Sequence, residues 1–310
     1  MRLKDWLVPA NVQFLVRVAR GEVRRAQSRR FLRGAANWTL PPEVQHWILG
    51  AAHRARGLDV RANAELRGRH VGRRAFVIGN GPSLGGMSLG RLADEVTIGA
   101  NSFYKHADAE AMGLKYLCIG DASFMEDRPS CVAWHQEIAR RMPRTELLLH
   151  EDARALVARY GLYPDHRVRY FQRGVPTEYS ELAQCDLTRP LNVGVNTGTL
   201  LSIPLAIYMG CNPIVLIGFD CNWLEGYTRS YHFYEKHELF PEFDSLAADR
   251  RWPRYEDQLV TALRDFEGHR LWAEYCARRG IRIVNASAGG VLDTYERVPF
   301  DRLFDSDAAK

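Results

Sequence analysis

The chain has 310 residues, 46% of them hydrophobic and 25% charged, enough to bury a sizeable core in one large α/β domain with an appendage. Its net charge of +5 is unevenly placed: residues 1–74 hold 16 Lys and Arg against 5 Asp and Glu, and the remainder is mildly acidic. A body without clustered Lys and Arg lacks a phosphate-tracking groove, which excludes nucleic acid as its partner.

Residues 1–33 place Trp6, Leu7, Phe14 and Leu15 among arginines and predict amphipathic helices broken near Pro9 and Gly21. Such a segment either lies peripherally on an anionic membrane surface or packs on the body with its Arg face in solvent. A second patterned segment, 42–65, extends this region, so 1–74 is expected to be a basic helical N-terminal segment. From residue 75 the pattern alternates. Strands are predicted at 75–79, 95–99, 115–119, 145–149, 213–218 and 281–285, with helices at 130–142, 151–160, 198–209 and 256–279. Short β-branched strands separated by helices predict a Rossmann-like α/β fold over 75–310, a mostly parallel sheet covered on both faces. Ligands of such sheets sit at the carboxyl ends of the strands. The aromatic-rich, aperiodic stretch at about 221–255 is expected to form a lid loop beside that edge.

The six cysteines (Cys118, Cys131, Cys185, Cys211, Cys221, Cys276) show no C-x-x-C spacing. They read as buried thiols in a reducing compartment, and no metal site is expected. No apolar run approaches the roughly 18–20 residues of a bilayer span. The start lacks a signal peptide's apolar stretch, so the expected location is cytoplasmic.

Three motifs carry the chemistry. The first strand runs into Gly79-Asn80-Gly81-Pro82-Ser83-Leu84, a glycine turn that brings backbone amides near a phosphate or ribose. It is not a dinucleotide fingerprint: Leu84 stands at the third glycine position, and the next strand ends in Asn101-Ser102-Phe103 rather than an acid. Asn101 offers donor and acceptor atoms to a base edge or ribose. The second motif, Asn196-Thr197-Gly198, precedes an apolar helix, which it either simply caps or opens to an anion. The following strand ends in Gly218-Phe219-Asp220, which sets Asp220 at the same edge as Asp121 and Asn285. The third is the cluster Tyr227, Tyr231, His232, Tyr234, whose hydroxyls and imidazole suit leaving-group stabilisation and general-base work, or else packing alone.

In this order the motifs resemble one superfamily: the sialyltransferases of bacterial lipooligosaccharide synthesis and the related MptE-like domain of flagellin-modifying motility accessory factors. The resemblance covers roughly 75–304, including the C-terminal stretch that begins at Ile283-Val284-Asn285. It implies a single Rossmann-type domain with a lid, a CMP-linked sialic or other nonulosonic acid as donor, and no metal or other cofactor. It places Asn80 and Gly81 near the cytidine nucleotide and Asn101 with ribose or base; Gly79, Pro82, Ser83, Ser102 and Asp121 join them as candidate substrate- or nucleotide-binding residues. Asn196, Thr197 and Gly198 would meet the sugar carboxylate or phosphate, and Tyr227 and Tyr231 the departing phosphate. Asn222-Trp223 stand where those sialyltransferases carry a lid tyrosine, and their catalytic histidine has no clear counterpart. His232 is therefore the candidate base, with Asp220 as the other catalytic candidate.

The resulting expectation is an inverting glycosyltransferase that builds a surface glycan on a glycan or glycolipid acceptor at the inner face of a bacterial inner membrane. Two alternatives stay open: an ATP-dependent pterin pyrophosphokinase using Asp121 and Asp220 around Mg²⁺, and a non-catalytic nucleotide-binding scaffold. Assembly into a homo-oligomer also stays open.

Overall fold

A computed structural model describes residues 60–173, 184–191, 199–222, 224, 232–234 and 255–305. Eight strands form one sheet: β1 (Ala75–Ile78), β2 (Val96–Ala100), β3 (Tyr116–Ile119), β4 (Glu146–His150), β5 (Val168–Phe171), β6 (Ile214–Ile217), β7 (Ile283–Asn285) and β8 (Glu296–Arg297). Every pairing is parallel, in the order β5-β4-β3-β2-β1-β6-β7-β8. The α/β, Rossmann-like architecture expected from the sequence is present.

The side-chain alternation of a strand divides the core into two layers. Ala75 and Val77 of β1, with Ile98 of β2, join one layer with α3 (Ser202–Tyr208) and α4 (Tyr255–Ala277), through Leu205, Trp272 and Tyr275. Phe76 and Ile78 point the other way, to α1 (Pro129–Arg141) and α2 (Arg154–Tyr160), through Trp134, Ile138 and Leu156. All four β1 residues are buried, as a central parallel strand requires, and each large side chain contributes about 1.5–3 kcal/mol by leaving water.

Two strands are additions to the expected set. β5 reads Val-Arg-Tyr-Phe, and its arginine disguises the strand pattern. Arg169 is nonetheless buried, paired with Glu146 and with Glu65 at 2.7 Å while donating to the Ala62 carbonyl at 2.8 Å. β8 is two charged, exposed residues and carries no hydrophobic signal.

The body also begins earlier than residue 75. A 3-10 helix, Arg61–Leu66, buries Leu66 completely, and the Asn63 amide donates to the Tyr170 and Leu187 carbonyls at 2.8 and 3.0 Å. Backbone bonds then stitch Gly68, His70 and Gly72 to Tyr208, Met209 and Gly210. Part of the basic surplus is spent here, since Arg67, Arg69 and Arg74 pair with Asp186, Glu146 and Glu95. Residues 60–74 thus belong to the α/β body, whereas the segment 1–33 and most of 42–65 lie outside the described residues. No helix among the described residues is long and apolar enough to cross a membrane.

Candidate active site

The chain winds outward from β1 to β5 and then returns to place β6 on the other side of β1. Such a reversal is a topological switch point, and sheets of this kind hold ligands outside the carboxyl ends of the strands there, here β1 and β6. The motifs at Gly79–Leu84 and Gly218–Asp220 both fall there.

The two turns are bonded to each other. Gly79 N–H donates to Ile217 O at 2.8 Å and Gly81 N–H to Gly218 O at 2.9 Å. Ser83 donates its amide to Asp220 Oδ1 at 3.3 Å and its hydroxyl to Oδ2 at 2.8 Å. The glycines allow this close approach: a Cβ on Gly81 would overlap the Asp220 carboxylate and stand 2.8 Å from Gly218 O. This corrects the sequence-based reason for the glycines. The Gly79, Gly81 and Ser83 amides are committed to β6 and do not form an anion cradle. Pro82 has no N–H to offer and opens the 3-10 turn Pro82–Gly86.

Asp220 is 3% exposed, and burial holds its carboxyl above the ordinary carboxylate range, partly offset by the Ser83 bonds and the Arg297 charge. A loop after β7 closes behind it. Val291 N–H donates to Asp220 O at 2.7 Å, Gly290 adopts φ +88°, and Arg297 donates to the Ser287 and Gly289 carbonyls at 3.0 and 2.8 Å. Only the Gly289-Gly290 pair after a strand end signals this loop in the sequence. Asn285 is also taken: its side chain donates to Leu292 O at 3.1 Å and accepts from Ser287 N–H at 3.0 Å.

Asn80 is different. Its side-chain nitrogen donates to Ala100 O at the end of β2, at 2.9 Å, while its Oδ1 is buried with no hydrogen-bond partner among the described residues. The residue is only 6% exposed. A buried acceptor left unsatisfied costs about 1–3 kcal/mol, so a ligand donor arriving there gains what the fold forgoes.

Beside it Asn101 sits in the left-handed region at φ +46°, its Oδ1 3.4 Å from the Gly120 amide that donates to it. Asp121 follows at the end of β3, partly exposed. Ser102 belongs elsewhere: it is 0% exposed and its hydroxyl accepts from Trp134 Nε1 at 3.2 Å, so it supports the α1 packing rather than the switch point.

Residues 232–234 dock over the glycine turn. Phe233 N–H donates to Asn80 O at 3.2 Å, and its ring packs edge-on against His106 with centroids 5.6 Å apart. His106 is held by Leu84 O at 3.1 Å and stacks on Phe103. His232 stacks on Tyr234, centroids 4.9 Å apart and planes 9° apart. The structure thus brings His232 within two residues of a backbone contact to Asn80.

Asn196, Thr197, Gly198, Tyr227 and Tyr231 lie outside the described residues, as does most of the expected lid at 221–255. Thr199, where description resumes, lies against Gly79, its Cγ2 3.2 Å from where a Cβ would stand. The helix expected from 198 starts at Ser202 with Leu201 as its N-cap residue.

A cluster that sequence reasoning missed begins one residue beyond Asp220. Cys221, Asp265 and His269 bring their side-chain heteroatoms within 4.8 Å of one another. The Asp265–His269 spacing of four on one helix face is readable in sequence, but the approach of Cys221 is not. A scan against protein-family models finds no match, and a search of curated proteins finds none either.

Proposed function

We propose that this chain is an inverting glycosyltransferase that moves sialic acid or a related nonulosonic acid from a CMP-sugar to a surface-glycan acceptor. The observation that carries the reading is Asn80 Oδ1, a buried acceptor with no donor among the described residues, at the carboxyl end of β1. The exocyclic amine of cytosine or a ribose hydroxyl would satisfy it, and Asn101 stands alongside for the rest of the nucleoside. The missing third glycine and missing ribose acid turn the reading away from a dinucleotide.

In the proposed reaction the acceptor hydroxyl attacks the anomeric carbon as the bond to the CMP phosphate breaks. His232 takes the hydroxyl proton, and Tyr227 and Tyr231 donate to the departing phosphate. Asp220 positions the glycine turn through Ser83 rather than acting on substrate. That placement also leaves the pyrophosphokinase reading with less support, because both Asp220 oxygens are already engaged by Ser83. The basic segment 1–33 would hold the enzyme against the anionic membrane that carries its acceptor.

His232→Ala is expected to lower kcat by about 10²–10⁴-fold while leaving CMP affinity unchanged, read by CMP release from CMP-sialic acid with a saturating acceptor. Unaltered turnover would remove His232 as the base.

A further inference from the structure

We propose that Cys221 Sγ, His269 Nε2 and Asp265 Oδ2 form a site for a soft divalent cation, zinc foremost, that staples α4 to the end of β6. The His269 Nε2 atom lies 3.7 Å from Cys221 Sγ and 3.9 Å from Asp265 Oδ2. Zinc bonded at about 2.3 Å to sulfur and about 2.0–2.1 Å to nitrogen and oxygen sets tetrahedral ligand edges at roughly 3.5 Å. The two edges at His269 Nε2 exceed this by only a few tenths of an ångström, and the three atoms all lie within 4.8 Å of one another.

The surrounding bonds prepare the histidine. Tyr295 gives its one hydroxyl proton to the His269 carbonyl at 3.1 Å, so its oxygen accepts from Nδ1–H at 3.1 Å. We assign the neutral tautomer with the Nε2 lone pair turned to Cys221 and Asp265. A zinc-ligating histidine is oriented in this way, by a partner on its other nitrogen. The ring is 1% exposed, so this lone pair meets the cluster away from bulk water.

The sulfur is placed at a conformational cost. Cys221 holds φ +53°, a left-handed conformation seldom adopted by residues with a Cβ. Charge also balances: one thiolate and one carboxylate neutralise a divalent ion, and the displaced thiol proton goes to solvent.

Because Cys221 directly follows Asp220, such a staple would brace the β6 end to which the glycine turn is bonded through Ser83. The site is independent of which nucleotide binds there. The test uses the full-length chain, stripped with a chelator and titrated with Co²⁺ and then Zn²⁺. About one Co²⁺ per chain is expected, with a thiolate-to-cobalt charge-transfer band and the intense visible bands of a tetrahedral ion, both bleached by zinc. Cys221→Ser should remove the charge-transfer band, and zinc should raise the thermal midpoint of the wild type by several degrees. A folded wild-type chain that gives no charge-transfer band, or a band that survives Cys221→Ser, overturns the site. The wild-type spectrum decides even where a variant fails to fold.

Discussion

Gly290→Ala should leave little folded protein. A Cβ at that position would overlap the Asp220 backbone and stand 2.6 Å from its carbonyl carbon, where no rotamer change relieves it. The φ of +88° adds a penalty of about 1–2 kcal/mol for any residue with a Cβ, beyond an overpacking cost of about 1–3 kcal/mol, more where backbone cannot give way. Gly81→Ala tests the same closure from the other side, but its clash is chiefly with a side chain. Pairing it with Asp220→Ala should restore part of the loss, with Gly218 O at 2.8 Å still in the way. Urea unfolding of the four chains measures the coupling. An unchanged midpoint for Gly290→Ala, or strict additivity for the Gly81–Asp220 pair, contradicts the described packing of the turns.

Asp220 separates two further outcomes. Asp220→Ala strands the Ser83 amide and hydroxyl, at a cost of about 1–3 kcal/mol. In Asp220→Asn the amide oxygen still accepts from Ser83 N–H, and the amide nitrogen donates to the Ser83 oxygen, so most of that contact survives. The pH dependence reports on the carboxyl itself. Burial raises the folded carboxyl above its ordinary 3.8, so between the two values the folded chain holds a proton that the unfolded chain has lost. The stability due to that proton is complete below 3.8 and is lost as pH climbs through the folded value. Relative to the wild type, Asp220→Asn should therefore gain stability as pH rises from 3.8, and then level off. A flat difference across that window would mean that the carboxyl is not desolvated as described.

The sheet was legible because its strands are short, apolar and separated by helices, and Gly79–Leu84 was legible because a strand stops abruptly at glycine. What the glycines do was not legible, since sequence cannot show that Gly218 O and the Asp220 carboxylate fill the space a side chain would need. Ser102 followed Asn101 into the predicted site, yet the 3-10 turn Asn101–Lys105 rotates it to Trp134. Arg169 concealed β5, because a buried guanidinium is tolerated only beside the carboxylates of Glu146 and Glu65, which lie far from it in sequence. The basic N-terminal quarter showed only an excess of charge, while its last residues proved to be ion-pair partners of the body. Cys221 is separated from His269 by 48 positions, and only folding brings thiol and imidazole together.

We propose that Asn80 reads a cytidine nucleotide at the carboxyl end of β1. The direct measurement is calorimetric titration of CMP into the wild type and Asn80→Ala, in buffer without added divalent metal, with AMP and Mg-ATP as comparisons. The account predicts that CMP binds at least about tenfold more tightly than AMP. It also predicts that Asn80→Ala weakens CMP by at least about tenfold, or about 1.4 kcal/mol, in a chain that remains folded. CMP that binds both chains equally, or a wild type that takes up Mg-ATP and ignores CMP, would contradict it.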